Sequence, residues 1–299
     1  MSADRNCENG GCHTAKQAIK ADEIKQERKE KMMQSQLIDN QWSDSRAEKH
    51  RFVCADEFGA MMSCIYEAWR WGNRGFTVEL AVESEDNYQL FCVEHRVEAD
   101  EERAEKVIRS ICGKISYRAL ELVYNCAMSV FPEKLEVIYR FLRLGFEIGP
   151  RVTETLTEEP VMRIFEISRR VGNEAHRFNQ FVRFTRWEDG ILCSVIEPRS
   201  NVLTLIAPNF AERLISEHWM IVDKGRKLAV LHPADCHWYL RQLTGEEYDK
   251  ILNFDRDHEE YALLWKTFFH HIAIEQRKNP RCQNNFLPKW YRENMTEFR

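Results

Sequence analysis

The chain has 299 residues, of which 43% are hydrophobic and 30% charged, and its formal net charge is −5. That composition, with 17 Phe, 9 Tyr and 8 Trp, excludes wholesale disorder. The mild negative charge excludes a uniformly basic nucleic-acid coat but leaves room for a local basic patch.

The opening stretch, MSADRNCENGGC, lacks the apolar core of a secretory signal. Residues 1–50 read as a polar extension, and KADEIKQERKEKMMQSQL (20–37) is a charged helical pattern with a thin apolar stripe. A globular domain is expected over residues 51–299. It begins with a strand, RFVCA (51–55), followed by a helix, FGAMMSCIYEAWRW (58–71), which carries Met61, Met62, Ile65, Tyr66 and Trp69 at helical spacing. GNRG breaks that helix, and NYQLFCVEHRVE (87–98) reads as the second strand. Four helices are predicted next, over residues 101–115, 116–131, 132–149 and 158–178, the third opening on Pro132.

The pattern then switches to period two. Residues 181–198 and 218–233 read as hairpins, the second turning at residues 223–226, and a helix over residues 202–215 separates them. CHWYLRQL adds an edge strand, and a long helix over residues 258–278 leads into the tail. The expected fold is therefore α+β: strand–helix–strand and a helical block, then an antiparallel sheet with one inserted helix and a long C-terminal helix. No run of about 18 apolar residues occurs, so no transmembrane helix is expected. Ten cysteines are present, and Cys64, Cys112 and Cys126 sit within apolar helical patterns, where reduced buried thiols and hence a cytoplasmic setting are expected.

Three constellations carry candidate chemistry. Cys7, Cys12 and His13 offer thiolate and imidazole ligands for a metal, but no second ligand pair is nearby, so no cofactor is expected. In the last helix, Tyr261, Trp265, Phe268, Phe269 and Ile272 form a stripe expected to be buried. His271 and Glu275 lie one turn apart on its flank, a spacing that suits acid–base work or an ordinary surface pair. His270 and His271 diverge by about 100° and do not share a metal easily. His176 and Glu197 complete the candidates for catalysis, Glu197 because it ends a strand.

The third constellation is basic. Residues 161–186 hold six arginines against two acidic residues, and residues 276–299 hold six basic residues against two acidic. Arg169, Arg170, Arg177, Arg183, Arg277, Lys278 and Arg281 are candidates to grip phosphates. Trp290 and Tyr291 are candidates to stack on unpaired bases, the alternative being that tail aromatics clamp the terminus to the core. There is no Walker loop, no nucleophile elbow, no dinucleotide fingerprint and no radical SAM cysteine cluster.

FLRLGFEIGPRV (141–152), VGNEAHRFNQFVRF (171–184), the IEP step (196–198) and IAIEQRKNPRCQNNFLPKWY (272–291) resemble a bacterial family labelled "probable DNA metabolism protein". The similarity runs over residues 51–297, with order and spacing kept. Genes of that family sit beside those of a radical SAM protein assigned to DNA repair, and some members are fused to a uracil-DNA glycosylase-like domain. The resemblance implies DNA and that radical SAM protein as partners, and it assigns no catalytic residues. The chain departs from the family pattern at CADEFG, which has no glycine before Phe58, and after Tyr291, where Arg292 and Glu293 follow. The expectation is a nucleic-acid-binding protein of DNA repair or modification. The alternatives are an enzyme acting on damaged or modified DNA and a protein-interaction module.

Overall fold

The computed structural model describes residues 49–83, 92–187, 190–253, 260–293 and 295–298. The N-terminal helix pattern, the Cys7–Cys12–His13 constellation and the side chain of Tyr261 lie outside the described residues.

Strand β1 (Lys49–Cys54) is buried along nearly its whole length, the pattern of a central strand in a parallel sheet. Helix α1 (Phe58–Gly72) then crosses over to β2 (Thr77–Val82), which pairs parallel to β1. Strand β3 (Cys92–Arg96) pairs parallel to the other edge of β1, so the order is β2-β1-β3. The sequence reading had two strands here and missed β2. Its signal is short and follows directly on the Gly-rich turn, in β-branched residues Thr77, Val78 and Val82.

The helical block is α2 (Glu101–Lys114), α3 (Tyr117–Ala127), α4 (Lys134–Ile148) and α5 (Glu159–Phe181). Caps set two of its starts: Asp100 accepts from the Arg103 N–H at 3.0 Å, and Ser116 from that of Ala119 at 3.1 Å.

The second sheet has the order β4-β5-β6-β7-β8, with β4 (Thr185–Arg186), β5 (Leu192–Ile196), β6 (Trp219–Asp223), β7 (Leu228–His232) and β8 (Tyr239–Gln242). Both predicted hairpins and the edge strand form. The expectation of a purely antiparallel sheet does not hold, because β5 and β6 run parallel, Ile196 opposite Asp223. The inserted helix α6 (Leu203–Arg213) carries the chain back to the end where β5 began, which forces a parallel return. A helix not read from sequence, α7 (Gly245–Leu252), follows with a full capping box between Thr244 and Glu247.

Two cores meet on α5. Its first half packs with Phe52, Met61, Ile111, Leu122 and Phe141, while Ala175 and Phe178 pack with Ile206, Trp219 and Tyr291. The opposite face of the second sheet is closed over Val195 and Val222 by Ile251 of α7.

The predicted long last helix breaks. Helix α8 (Glu260–Ile272) ends six residues early, Ile274 is extended, and a single 3₁₀ turn (Glu275–Arg277) precedes α9 (Pro280–Phe286) and α10 (Lys289–Arg292). The stripe expected to be buried on α8 is open: Trp265, Phe268 and Ile272 are 40%, 52% and 56% exposed. No described helix is long and apolar enough to cross a membrane, and all described cysteines are free thiols.

Candidate functional site

The loop that follows β5, residues 197–202, is held from several sides. Glu174 of α5 is buried, and its two carboxylate oxygens accept the backbone N–H groups of Arg199 (2.7 Å) and Ser200 (3.1 Å). Arg226 donates to the carbonyls of Pro198 and Arg199 from the turn after β6. The same guanidinium bonds Asp223 at 2.9 Å, and Asp223 also accepts the Arg226 N–H at 3.1 Å. Burial pushes the Asp223 carboxyl above its usual range, against the pull of Arg226. Glu197 points outward and pairs with Lys224 at 3.1 Å.

The loop lies at the carboxyl ends of the parallel pair β5 and β6, the edge where α/β folds place ligands. Against it packs the tail. The Arg199 guanidinium stands 5.3 Å from the centre of the Trp290 ring, which stacks on Tyr291 at 3.7 Å. Tyr291 meets Phe178 and Phe181 edge-on at 5.0 and 5.3 Å, with Arg177 over its ring at 5.9 Å. The Tyr291 hydroxyl is buried with no partner at hydrogen-bonding geometry. Its pKa is pushed up to about 12, first by burial and further by the Glu174 charge, with Arg177 and Arg199 opposing.

The loop also touches the first core. The Asn201 N–H donates to the Met128 carbonyl at 2.8 Å. One residue on, the Ser129 carbonyl accepts at 2.9 Å from the buried ammonium of Lys134, which also bonds Asp56 just past the end of β1. A chain of contacts thus joins the carboxyl end of β1 to that of the parallel pair β5 and β6. Sequence reasoning counted Glu174 only as a countercharge. A signal was present, because Glu174 falls on the same stripe of α5 as Val171, Ala175 and Phe178.

The nominated catalytic residues do not converge. His176 pairs with Gln180 at 2.9 Å on the exposed side of α5. His271 bonds the Thr267 carbonyl at 2.8 Å within α8. Glu275 belongs to the separate 3₁₀ turn and pairs with Lys278 at 3.7 Å, so the His271–Glu275 pair does not form. The helix break between them removes the one-turn register on which it depended.

The basic residues divide into used and unused. Arg170 bonds Glu166 at 2.7 Å and lies over Phe131. Arg183 bonds Glu297 at 2.8 Å, and that buried carboxylate also accepts the Trp265 indole N–H at 3.1 Å. Arg177 covers Tyr291, and Tyr291 itself is only 3% exposed, so it offers no face to a base. Trp290 is half-buried and already stacked. Arg169, Arg277 and Arg281 are exposed and have no carboxylate partner among the described residues.

From His271 to Phe286 every side chain is exposed, Phe286 by 75%. The tail therefore splits into an open basic–aromatic segment and a clamped end that begins near Leu287. Among the described residues no three His, Cys, Asp or Glu side chains gather as a metal set.

No curated protein and no solved structure matches the chain. A family model described as a domain of unknown function, DUF4130, matches residues 132–297. That span covers more than half of the chain and contains α4, α5, the whole second sheet, the loop after β5 and the tail. It also contains the four sequence motifs at residues 141–152, 171–184, 196–198 and 272–291. The chain belongs to the DUF4130 family.

Proposed function

We propose that the protein binds nucleic acid through the open segment between α8 and α10 and serves DNA repair or modification together with a radical SAM partner. The observation that carries the reading is the exposure of residues 271–286. Arg277, Lys278 and Arg281 stand there beside Ile274 and the three-quarters exposed Phe286, and among the described residues only Lys278 has a carboxylate nearby. Free guanidinium groups bond phosphates, and an exposed aromatic ring stacks on an unpaired base. The clamp of Tyr291, Met295 and Glu297 fixes one end of this segment to the second core, so the basic residues are presented from a firm base. The DNA context and the radical SAM partner rest on the family resemblance. The residues named for the enzyme alternative, His176, His271, Glu275 and Glu197, do not converge.

The test is fluorescence anisotropy with single- and double-stranded DNA at two salt concentrations. Binding that weakens steeply with salt is expected. An Arg277→Gln/Arg281→Gln variant should lower the slope of log affinity against log salt by about 1.4 on single strands, two phosphate contacts' worth. Absence of binding to either DNA at low salt would overturn the reading.

A partner-protein surface is favoured by one further observation. Leu263, Leu264, Trp265, Phe268 and Ile272 leave an apolar face of α8 open next to the basic segment. Co-purification with the radical SAM protein, lost on Leu264→Asp/Phe268→Asp, checks it.

A further inference from the structure

Helices α1 and α2 pack side by side, and a pocket of about 370 Å³ opens between them where α4 closes one end. Its floor is Ile65 and Val107, both buried. Trp69 and Phe146 form the end wall, edge-on at 5.1 Å. The α1 residues recur at positions 65, 66, 69 and 70, and those of α2 at 106, 107, 110 and 114, so one stripe of each helix faces the space.

The rim is cationic. Arg70, Lys106 and Lys114 line it, and no carboxylate does. Arg70 shares Glu67 with Arg103, at 3.2 and 2.8 Å, and Lys106 bonds Glu102 at 2.6 Å. Lys114 has no carboxylate partner among the described residues, and its ammonium stands 5.9 Å from the centre of the Phe146 ring. A lysine in the last turn of α2 suits the helix dipole. The dipole accounts for Lys114 and the glutamates for the other two, but neither accounts for all three cations lining one aromatic-walled hollow. Two hydroxyls complete the lining. Ser110 donates to the Lys106 carbonyl at 2.7 Å, which leaves its oxygen free to accept, and Tyr66 lies beside Lys106.

An apolar floor with an aromatic wall suits a planar ring, and a rim of three cations with no carboxylate in the lining suits phosphate, Lys114 being the cation not already shared with a carboxylate among the described residues. We propose that this pocket binds one nucleotide, with its base against Trp69 and Phe146 and its phosphate at Lys114, Arg70 and Lys106. The site goes beyond the C-terminal surface and stands without it, since every lining residue but Phe146 precedes the matched family span. The nucleotide is either free or an unpaired residue of a strand. A second hollow of about 500 Å³ shares Trp69 and Phe146 and carries Arg143 over the Trp69 ring at 5.0 Å, which gives a strand a place to continue.

The experiment titrates the full chain with dTMP and with a ten-residue oligo(dT), reading tryptophan fluorescence and calorimetric heat. One equivalent of probe should bind, and Arg70→Gln/Lys114→Gln should weaken it about tenfold or more, the cost of losing charge-assisted bonds. Both side chains are exposed, so unchanged melting is expected, and Lys114→Gln alone serves if the double variant does not melt cooperatively. Binding of dTMP identifies a free nucleotide, and binding of the oligomer alone identifies a strand. The proposal fails if neither probe binds, or if the folded variant binds both as tightly as the parent. Oligomer binding lost in Arg277→Gln/Arg281→Gln and kept in the pocket variant also refutes the pocket, while leaving the C-terminal surface standing.

Discussion

Two imidazoles show how single residues set the conditions for folding. His50 Nδ1 and His95 Nε2 lie 3.0 Å apart on the α1 side of the first sheet, among Phe52, Trp71 and Phe76. Burial, then the neighbouring His50, holds the His95 pKa below its ordinary value of 6.5. The unfolded chain therefore takes up this proton at a higher pH than the folded one. The contribution is complete above about pH 6.5 and is lost as the pH falls from there through the lower folded value. The melting temperature of the parent should drop relative to a His95→Gln variant between neutral pH and pH 5, and parallel curves would refute the coupling. Glu174 acts on a larger scale of energy. Glu174→Ala leaves the N–H groups of Arg199 and the buried Ser200 without their acceptor, and urea unfolding should register a loss of about 2–4 kcal/mol. The burial of Glu174 was legible in its helix stripe, but the partners of neither residue were, because His50 and His95 are 45 positions apart and Glu174 stands 25 and 26 positions from its partners.

At the scale of elements, helix-period and strand-period patterning located most of the helices and both hairpins, since each depends on neighbours in the chain. It failed where an element's burial depends on something distant. The apolar stripe of α8 has the period of a core helix, yet Phe268 and Ile272 are exposed, because a periodic face records what is able to be buried and not what covers it. Glycines in helices make the same point. Gly172 of α5 is exposed, and an added Cβ meets nothing within 4 Å. Gly172→Ala should raise stability by about 0.5–1 kcal/mol by helix propensity. Gly145 of α4 is buried, and an added Cβ comes within 2.7 Å of the Ile115 side chain. Gly145→Ala should instead lower stability by about 1–3 kcal/mol through overpacking. Thermal unfolding of the two variants checks both signs, which no pattern in the chain distinguishes.

For the whole molecule, α5 is the shared element: one half belongs to each core, and the tail returns across 110 positions to close the second. The clamp is therefore structural, and Tyr291→Ala should cost about 3–5 kcal/mol in denaturant unfolding, as large core truncations do. Tyr291→Phe should be close to neutral, since the hydroxyl it removes makes no well-aligned hydrogen bond, the Arg177 guanidinium lying beside it off that geometry. A large loss in Tyr291→Phe would show that the hydroxyl is bonded after all.

Composition and period sufficed for the α+β class and for the run of helices before the second sheet, and the resemblance for membership of an uncharacterised family. These features follow from local propensity and from motifs kept in order along the chain. Only the tertiary structure decided that β5 and β6 run parallel, that Tyr291 is core while Phe286 is surface, and that His271 and Glu275 part company. It alone brought Arg70, Lys106 and Lys114 around one hollow. The reason is that strand direction, burial and the meeting of side chains depend on contacts between segments far apart in the chain, and a local pattern carries no record of its distant partner.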